Sequence, residues 1–146
     1  MVANLLEKLT KKMVESTDDI MAEGILDKMQ INIDCFNDSK NPPEVRQEAF
    51  NDLRLSLEDR KILGKVEKRS RQKLNALKLK RVLHVLKPLT PDETKEVKRL
   101  TALLGKISQA YKYHHLRTTP EERKKIIRSL EQTTSKRMQL AKRRDR

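Results

Sequence analysis

The sequence predicts an all-α protein, an elongated or loosely packed bundle of about five helices. Three observations carry that expectation. Aromatic residues make up 3% of the 146, with two Phe, two Tyr and no Trp, fewer than the strands of a sheet this size use. The chain has only three glycines, a poor supply for the turns of a β-sandwich or an α/β sheet. Leu, Lys, Arg, Glu, Ala and Met, all strong helix formers, take the remaining space. Charged residues reach 38% against 36% apolar, which suits a thin helical core.

In chain order, the first thirty residues read as two short amphipathic helices. Leu5, Leu6, Leu9 and Met13 mark the first. Ile20, Met21, Ile25 and Met29 mark the second, with Ser16 or Thr17 as its cap. Ile31-Asn-Ile-Asp-Cys-Phe36 alternates like a strand, but with no second strand to pair it, it reads as an extended connector. Asn37 to Pro43 is a linker.

Three later segments carry a helix-start signal: Asn41-Pro42-Pro43-Glu44, Thr90-Pro91-Asp92-Glu93 and Thr119-Pro120-Glu121-Glu122. In each, a capping residue precedes Pro and Glu, so the cap oxygen takes a first-turn N–H and the Glu reaches back. The stripe Val45, Ala49, Leu53 and Leu57 passes through Gly64 and resumes as Leu74, Leu77, Val82, Leu83 and Leu86 before Pro88. Residues 43–87 form either one helix or two, and a break or bend near Gly64 is the expectation. Val97, Leu100, Leu104, Ile107 and Tyr111, spaced 3, 4, 3 and 4, make a narrow seam in which Leu100, Leu104 and Ile107 should be buried. A weaker stripe follows in Ile127, Leu130, Thr134, Met138 and Ala141. These last two helices are expected to form an antiparallel pair near residues 91–141, turning at Leu116–Thr119. The C-terminal Lys-Arg-Arg-Asp-Arg reads as a frayed basic tail.

Charge is unevenly divided within a net of +13. Residues 1–60 hold 8 basic and 13 acidic side chains, and residues 61–146 hold 26 and 8. An acidic N-terminal helical region and connector, residues 1–40, is therefore distinguished from a basic helical domain, residues 41–146. Arg60 to Lys87 is the densest block, with eleven cations against Glu67 alone. Such a segment attracts polyanions. The leading expectation is a non-enzymatic protein that binds nucleic acid, DNA or RNA, through phosphate contacts rather than base reading. Lys65, Lys68, Arg69, Arg71, Lys73, Lys78 and Arg81 are the expected contacts, joined by Lys142, Arg143 and Arg144 of the tail. The ordinary alternative for such a block is a solvated lysine-rich surface. Tyr111-Lys-Tyr-His-His-Leu-Arg117 mixes aromatics with cations, and Tyr113 and His115 are its candidates for stacking on bases. Against that stands the fit of Tyr111 to the apolar seam. The competing reading is a structural or assembly protein whose helical seams and basic surface meet an acidic protein, a helical partner or a second copy of the chain.

No phosphate-binding glycine loop, nucleophile elbow or paired-cysteine metal spacing occurs, so no catalytic residue, metal or cofactor is assigned. His114 and His115 are adjacent and point about 100° apart on a helix, a poor arrangement for one metal. Cys35 is the sole cysteine and has no internal disulfide partner. No apolar run is long enough to span a bilayer, and Glu7 and Lys8 interrupt any signal-peptide core. An intracellular location is expected. Met21-Ala22-Glu23-Gly24, after an amphipathic helix, resembles the sites cut by the prohead proteases of T4-like phages. That four-residue resemblance implies a leader that directs a small helical protein into an assembling head, and hence a place within a virion. Otherwise Gly24 serves as a small residue at a helix contact or as a local break.

Overall fold

A computed structural model describes residues 2–83 and 88–144, the side chains of Val2, Thr134, Ala141, Arg143 and Arg144 excepted. About 90% of the described residues are helical, in five helices with no strand among them. They are α1 (Val2–Asn37), α2 (Pro43–Asn51), α3 (Leu57–Leu83), α4 (Pro91–Thr118) and α5 (Pro120–Arg144). Two compact units divide them: Met1–Leu26 with Ser56–Gln109, and Asp27–Leu55 with Ala110–Arg146. The helices α1 and α4 contribute residues to both.

The N-terminal region corrects the expectation of two helices and a connector. It is one helix of 36 residues. Ala22, Leu26, Met29 and Ile33 are buried at spacings of 4, 3 and 4, so a single helical seam runs straight through the supposed connector. Ile31, which the strand-like alternation pairs with Ile33, is exposed. Thr17 does not cap. Its hydroxyl donates to the Met13 carbonyl at 2.9 Å, as a mid-helix threonine does. Gly24 is neither a break nor a tight contact, for a Cβ placed there meets nothing within 4 Å.

What ends α1 is side-chain chemistry from the next segment. Asn41 Nδ2 donates to the Cys35 carbonyl at 3.0 Å, and Arg46 Nε donates to the Phe36 carbonyl at 2.8 Å. Two last-turn carbonyls without helical partners are thereby satisfied. The Arg46 guanidinium also sits 5.6 Å from the Phe36 ring centre, and Phe36 meets buried Phe50 at 5.3 Å. Asn41 is therefore engaged with α1 and does not cap α2, whose N-cap is Pro42 with no side-chain bond. In this second unit α2 packs on α5.

Residues 43–83 are two helices, but the break falls at 52–56 and not near Gly64. Leu53 of the expected stripe is buried inside the break beside Leu55, whereas its members Val45 and Leu57 are exposed. The new helix starts with a capping box. Asp59 N donates to Ser56 Oγ at 3.0 Å, and Ser56 N donates to Asp59 Oδ2 at 3.2 Å. Gly64 lies within α3, again with open space where a Cβ would stand.

Of the three start signals read in sequence, Thr90 alone forms the reciprocal box. Glu93 N donates to Thr90 Oγ1 and Thr90 N to Glu93 Oε1, both at 3.2 Å. Thr119 Oγ1 instead lies 3.3 Å from His115 Nε2, and Glu122 Oε2 is buried without a hydrogen-bond partner. The turn expected at Leu116–Thr119 shrinks to Thr119, because residues 116–118 stay helical. Thr119 N donates to the His115 carbonyl at 2.9 Å, and its own carbonyl accepts from Arg123 N at 3.0 Å. Helix α5 continues to Arg144, so residues 142–144 of the expected frayed tail are helical, and Asp145 and Arg146 lie outside the described residues. Leu100 and Ile107 are buried as expected, whereas Leu104 is half-buried.

Candidate nucleic-acid interface

The interface candidate is α3, and its geometry follows from which of its faces is buried. Leu63, Val66, Ser70 and Leu74 face the core at spacings of 3, 4 and 4. On a helix, the opposite side then carries Lys61, Lys65, Lys68 and Gln72, spaced 4, 3 and 4, and all four are exposed. At about 1.5 Å of rise per residue, successive stripe positions stand roughly 4.5–6 Å apart along the axis. Glu58 and Asp59 occupy the first turn, and Lys80 and Arg81 the last, each of the sign the helix dipole favours.

The expected contact residues separate into distinct environments. Lys65 and Lys68 stand on the outer stripe; Lys78 and Arg81 are exposed nearer the C-terminal end. Arg71 is exposed but pairs with Glu67 at 2.9 Å. Lys73 is exposed, and its charge helps hold the Glu96 carboxyl below the ordinary carboxylate range, an effect dominated by the hydrogen bonds from Arg99. Arg69 is turned away from solvent, with Asp18 at 3.3 Å, Asp19 at 3.8 Å and Glu15 at 3.9 Å. Lys142 is exposed on α5, while the side chains of Arg143 and Arg144 lie outside the described residues.

Lys61 belongs to the stripe although it was not among the contacts picked from sequence. Its signal was its place four residues before Lys65 on one helical face. A second concentration of positive charge was also missed. Arg117 Nε donates to the Asn51 carbonyl at 3.2 Å, with its guanidinium 6.0 Å from the Phe50 ring centre. Burial, then the charges of Arg123 and Arg54, pushes the Arg117 pKa down. Arg117 and Arg123 flank one turn, but Arg54 lies about sixty positions earlier, so no local pattern brings the three together.

Of the two stacking candidates, Tyr113 is held by the fold and His115 stands exposed. Tyr113 is half-buried, and its hydroxyl accepts from Asn37 Nδ2 at 2.8 Å. His115 is exposed beside Thr119, and His114 Nδ1 accepts from the Leu55 N–H at 2.9 Å. Among the described residues no group of three His, Cys, Asp or Glu side chains is arranged to hold a metal ion. None of the described helices is long and apolar enough to cross a membrane. Comparison with known proteins gives no matching family model, no matching curated protein and no matching solved structure.

Proposed function

We propose that this is a non-enzymatic helical protein that binds nucleic acid through its phosphates, using the outer face of α3. The observation that supports the reading is the stripe Lys61, Lys65, Lys68 and Gln72. It is exposed along its length, and its three lysines make no ion pair among the described residues. Glu67, the lone acid of the Arg60–Lys87 block, is already taken by Arg71. Lysines on such a stripe act as point charges that displace condensed counterions, so affinity falls steeply with salt and depends little on sequence. The three stripe lysines contribute about −3 to the slope of log K against log salt on a duplex, and Lys73, Lys78 and Arg81, which are exposed but lie off that face, bring it near −5 only where the ligand wraps the helix.

Titration of a generic duplex and a single strand between 50 and 200 mM salt tests this. The variant Lys61→Gln/Lys65→Gln/Lys68→Gln should lose about three units of slope toward zero on the duplex and about two on the single strand. A flat salt dependence in the unmodified chain overturns the reading.

A second reading, a structural or assembly protein that binds protein partners through helical seams, draws on the apolar side chains exposed along α1. The absorbance ratio of the purified protein separates the two. Retained nucleic acid supports the first reading, and nucleic-acid-free oligomers support the second.

A further inference from the structure

The end of α4 gathers arginines that no carboxylate of the chain pairs with, inside the unit made of Asp27–Leu55 and Ala110–Arg146. Two bonds lay the segment after α2 along that end. Arg117 Nε donates to the Asn51 carbonyl at 3.2 Å, and the Leu55 N–H donates to His114 Nδ1 at 2.9 Å. Arg54 is bracketed between these two anchors. Arg123 comes from the other side. Thr119 alone separates α4 from α5, and its carbonyl accepts from the Arg123 N–H at 3.0 Å. The charges of Arg123 and Arg54 both act on the Arg117 guanidinium. Among the described residues none of the three arginines makes an ion pair. Glu121 and Glu122 share the first turn of α5 with Arg123, yet neither pairs with it. The Asn51 carbonyl and the Phe50 ring, 6.0 Å away, fix Arg117 in place before any ligand arrives. Both of its Nη groups make no hydrogen bond inside the chain, and Arg54 and Arg123 are exposed.

We propose that Arg54, Arg117 and Arg123 form a site for one phosphate dianion, either inorganic phosphate or the terminal monoester of a larger molecule. Holding three like charges together is unfavourable in the free chain, and a dianion among them replaces that repulsion with attraction. Guanidinium forks match phosphate oxygens in pairs. Three of them, drawn from the segment after α2, from α4 and from α5, suit a tetrahedral, doubly charged group better than a planar, singly charged carboxylate. The same convergence distinguishes this site from the α3 stripe. Lysines spaced along one helix face follow a run of diester phosphates, whereas a cluster on one point takes a single group. Helix α3 belongs to the other compact unit, and this inference stands whether or not its stripe binds nucleic acid.

Calorimetric titration of the full chain with inorganic phosphate, in 50 mM sodium chloride at pH 7.5, provides the first test. One saturable equivalent is expected, with a rise in the thermal midpoint as phosphate is added. Arg54→Gln/Arg123→Gln should weaken that binding at least tenfold. Without phosphate this variant should melt no lower than the unmodified chain, because both side chains are exposed and their loss relieves Arg117. Lys61→Gln/Lys65→Gln/Lys68→Gln should bind phosphate as the unmodified chain does, which keeps the fate of this site separate from that of the α3 stripe. A short single strand with and without a 5′-phosphate separates the two sources. A preference for the phosphorylated strand, lost in Arg54→Gln/Arg123→Gln, assigns the site to a chain end. Equal affinity for both strands, with phosphate still bound, assigns it to a small phosphate. No saturable binding up to 10 mM phosphate overturns the proposal. Phosphate binding that the arginine variant leaves intact, or that the lysine variant weakens equally, overturns it as well.

Discussion

Arg69 shows how one side chain takes its role from partners distant in sequence. Its guanidinium, about one-fifth exposed, faces three carboxylates from one stretch of α1. Arg69→Met removes the cation and leaves Glu15, Asp18 and Asp19 crowded together. The expected loss is about 1–2 kcal/mol, below the figure for a fully buried pair because water still reaches the site. Denaturant midpoints measure it, and the loss should shrink in 1 M salt. Arg69→Lys should recover only part, since an ammonium lacks the fork that spans several oxygens. In sequence Arg69 is indistinguishable from Lys68 or Arg71, because its acids lie about fifty positions away. The α4 seam was more legible, since spacing alone marks Leu100 and Ile107. Ala110 shifts the centre of the buried face, leaving Leu104 at its edge. Leu100→Ala should therefore cost about 2–4 kcal/mol and Leu104→Ala about 1 kcal/mol in thermal or chemical melts.

The elements were legible where a helix start is written in adjacent residues, and least so where tertiary contacts decide. Thr90 and Glu93 form their box, and Lys80 from the end of α3 adds a bond to Glu93 at 2.7 Å. Thr90→Ala should lower stability by about 1 kcal/mol. The hydrogen bond from Lys80, with that from Thr90, holds the Glu93 carboxyl below its ordinary value of 4.5. A carboxylate lowered in the folded state gives its full stabilisation above that value and loses it as pH falls through the folded pKa. Glu96 beside Arg99 has the same sign. Acidification below pH 4.5 should thus lower the melting midpoint, and Glu93→Gln should flatten the dependence in that window. The break at 52–56 was missed because Leu53 and Leu57 keep the helical spacing across it, although Leu53 has left the helix and Leu57 is exposed. Ser56-Leu-Glu-Asp59 was the readable sign, a Ser with an acid three residues later. The length of α1 was hidden by the Ile31–Ile33 alternation, which the inward turn of Ile33 alone resolves.

At the scale of the whole molecule, the acidic N-terminal stretch and the basic block are partners in one fold. Ala22 and Leu26 of α1 are buried, and Glu15, Asp18 and Asp19 meet Arg69 of α3. The density of cations in α3 was legible from sequence, while the identity of the cations already occupied was not, because pairing is a tertiary fact. If phosphate and carboxylate compete for the same helix, α1 restrains nucleic-acid binding from within. Deleting the acidic segment would strip buried side chains from the core, so neutral isosteres are the cleaner test. Glu15→Gln/Asp18→Asn/Asp19→Asn raises the net charge of +13 by three and frees Arg69. That variant should bind a generic duplex or single strand more tightly than the unmodified chain at 50 mM salt. The gain should narrow as salt rises, because screening weakens the intramolecular carboxylates and the ligand phosphates together. Its slope of log K against log salt should steepen by about one, the share of one further phosphate contact. Equal affinities and equal slopes would show that Arg69 serves the fold alone, with binding confined to the outer stripe of Lys61, Lys65 and Lys68.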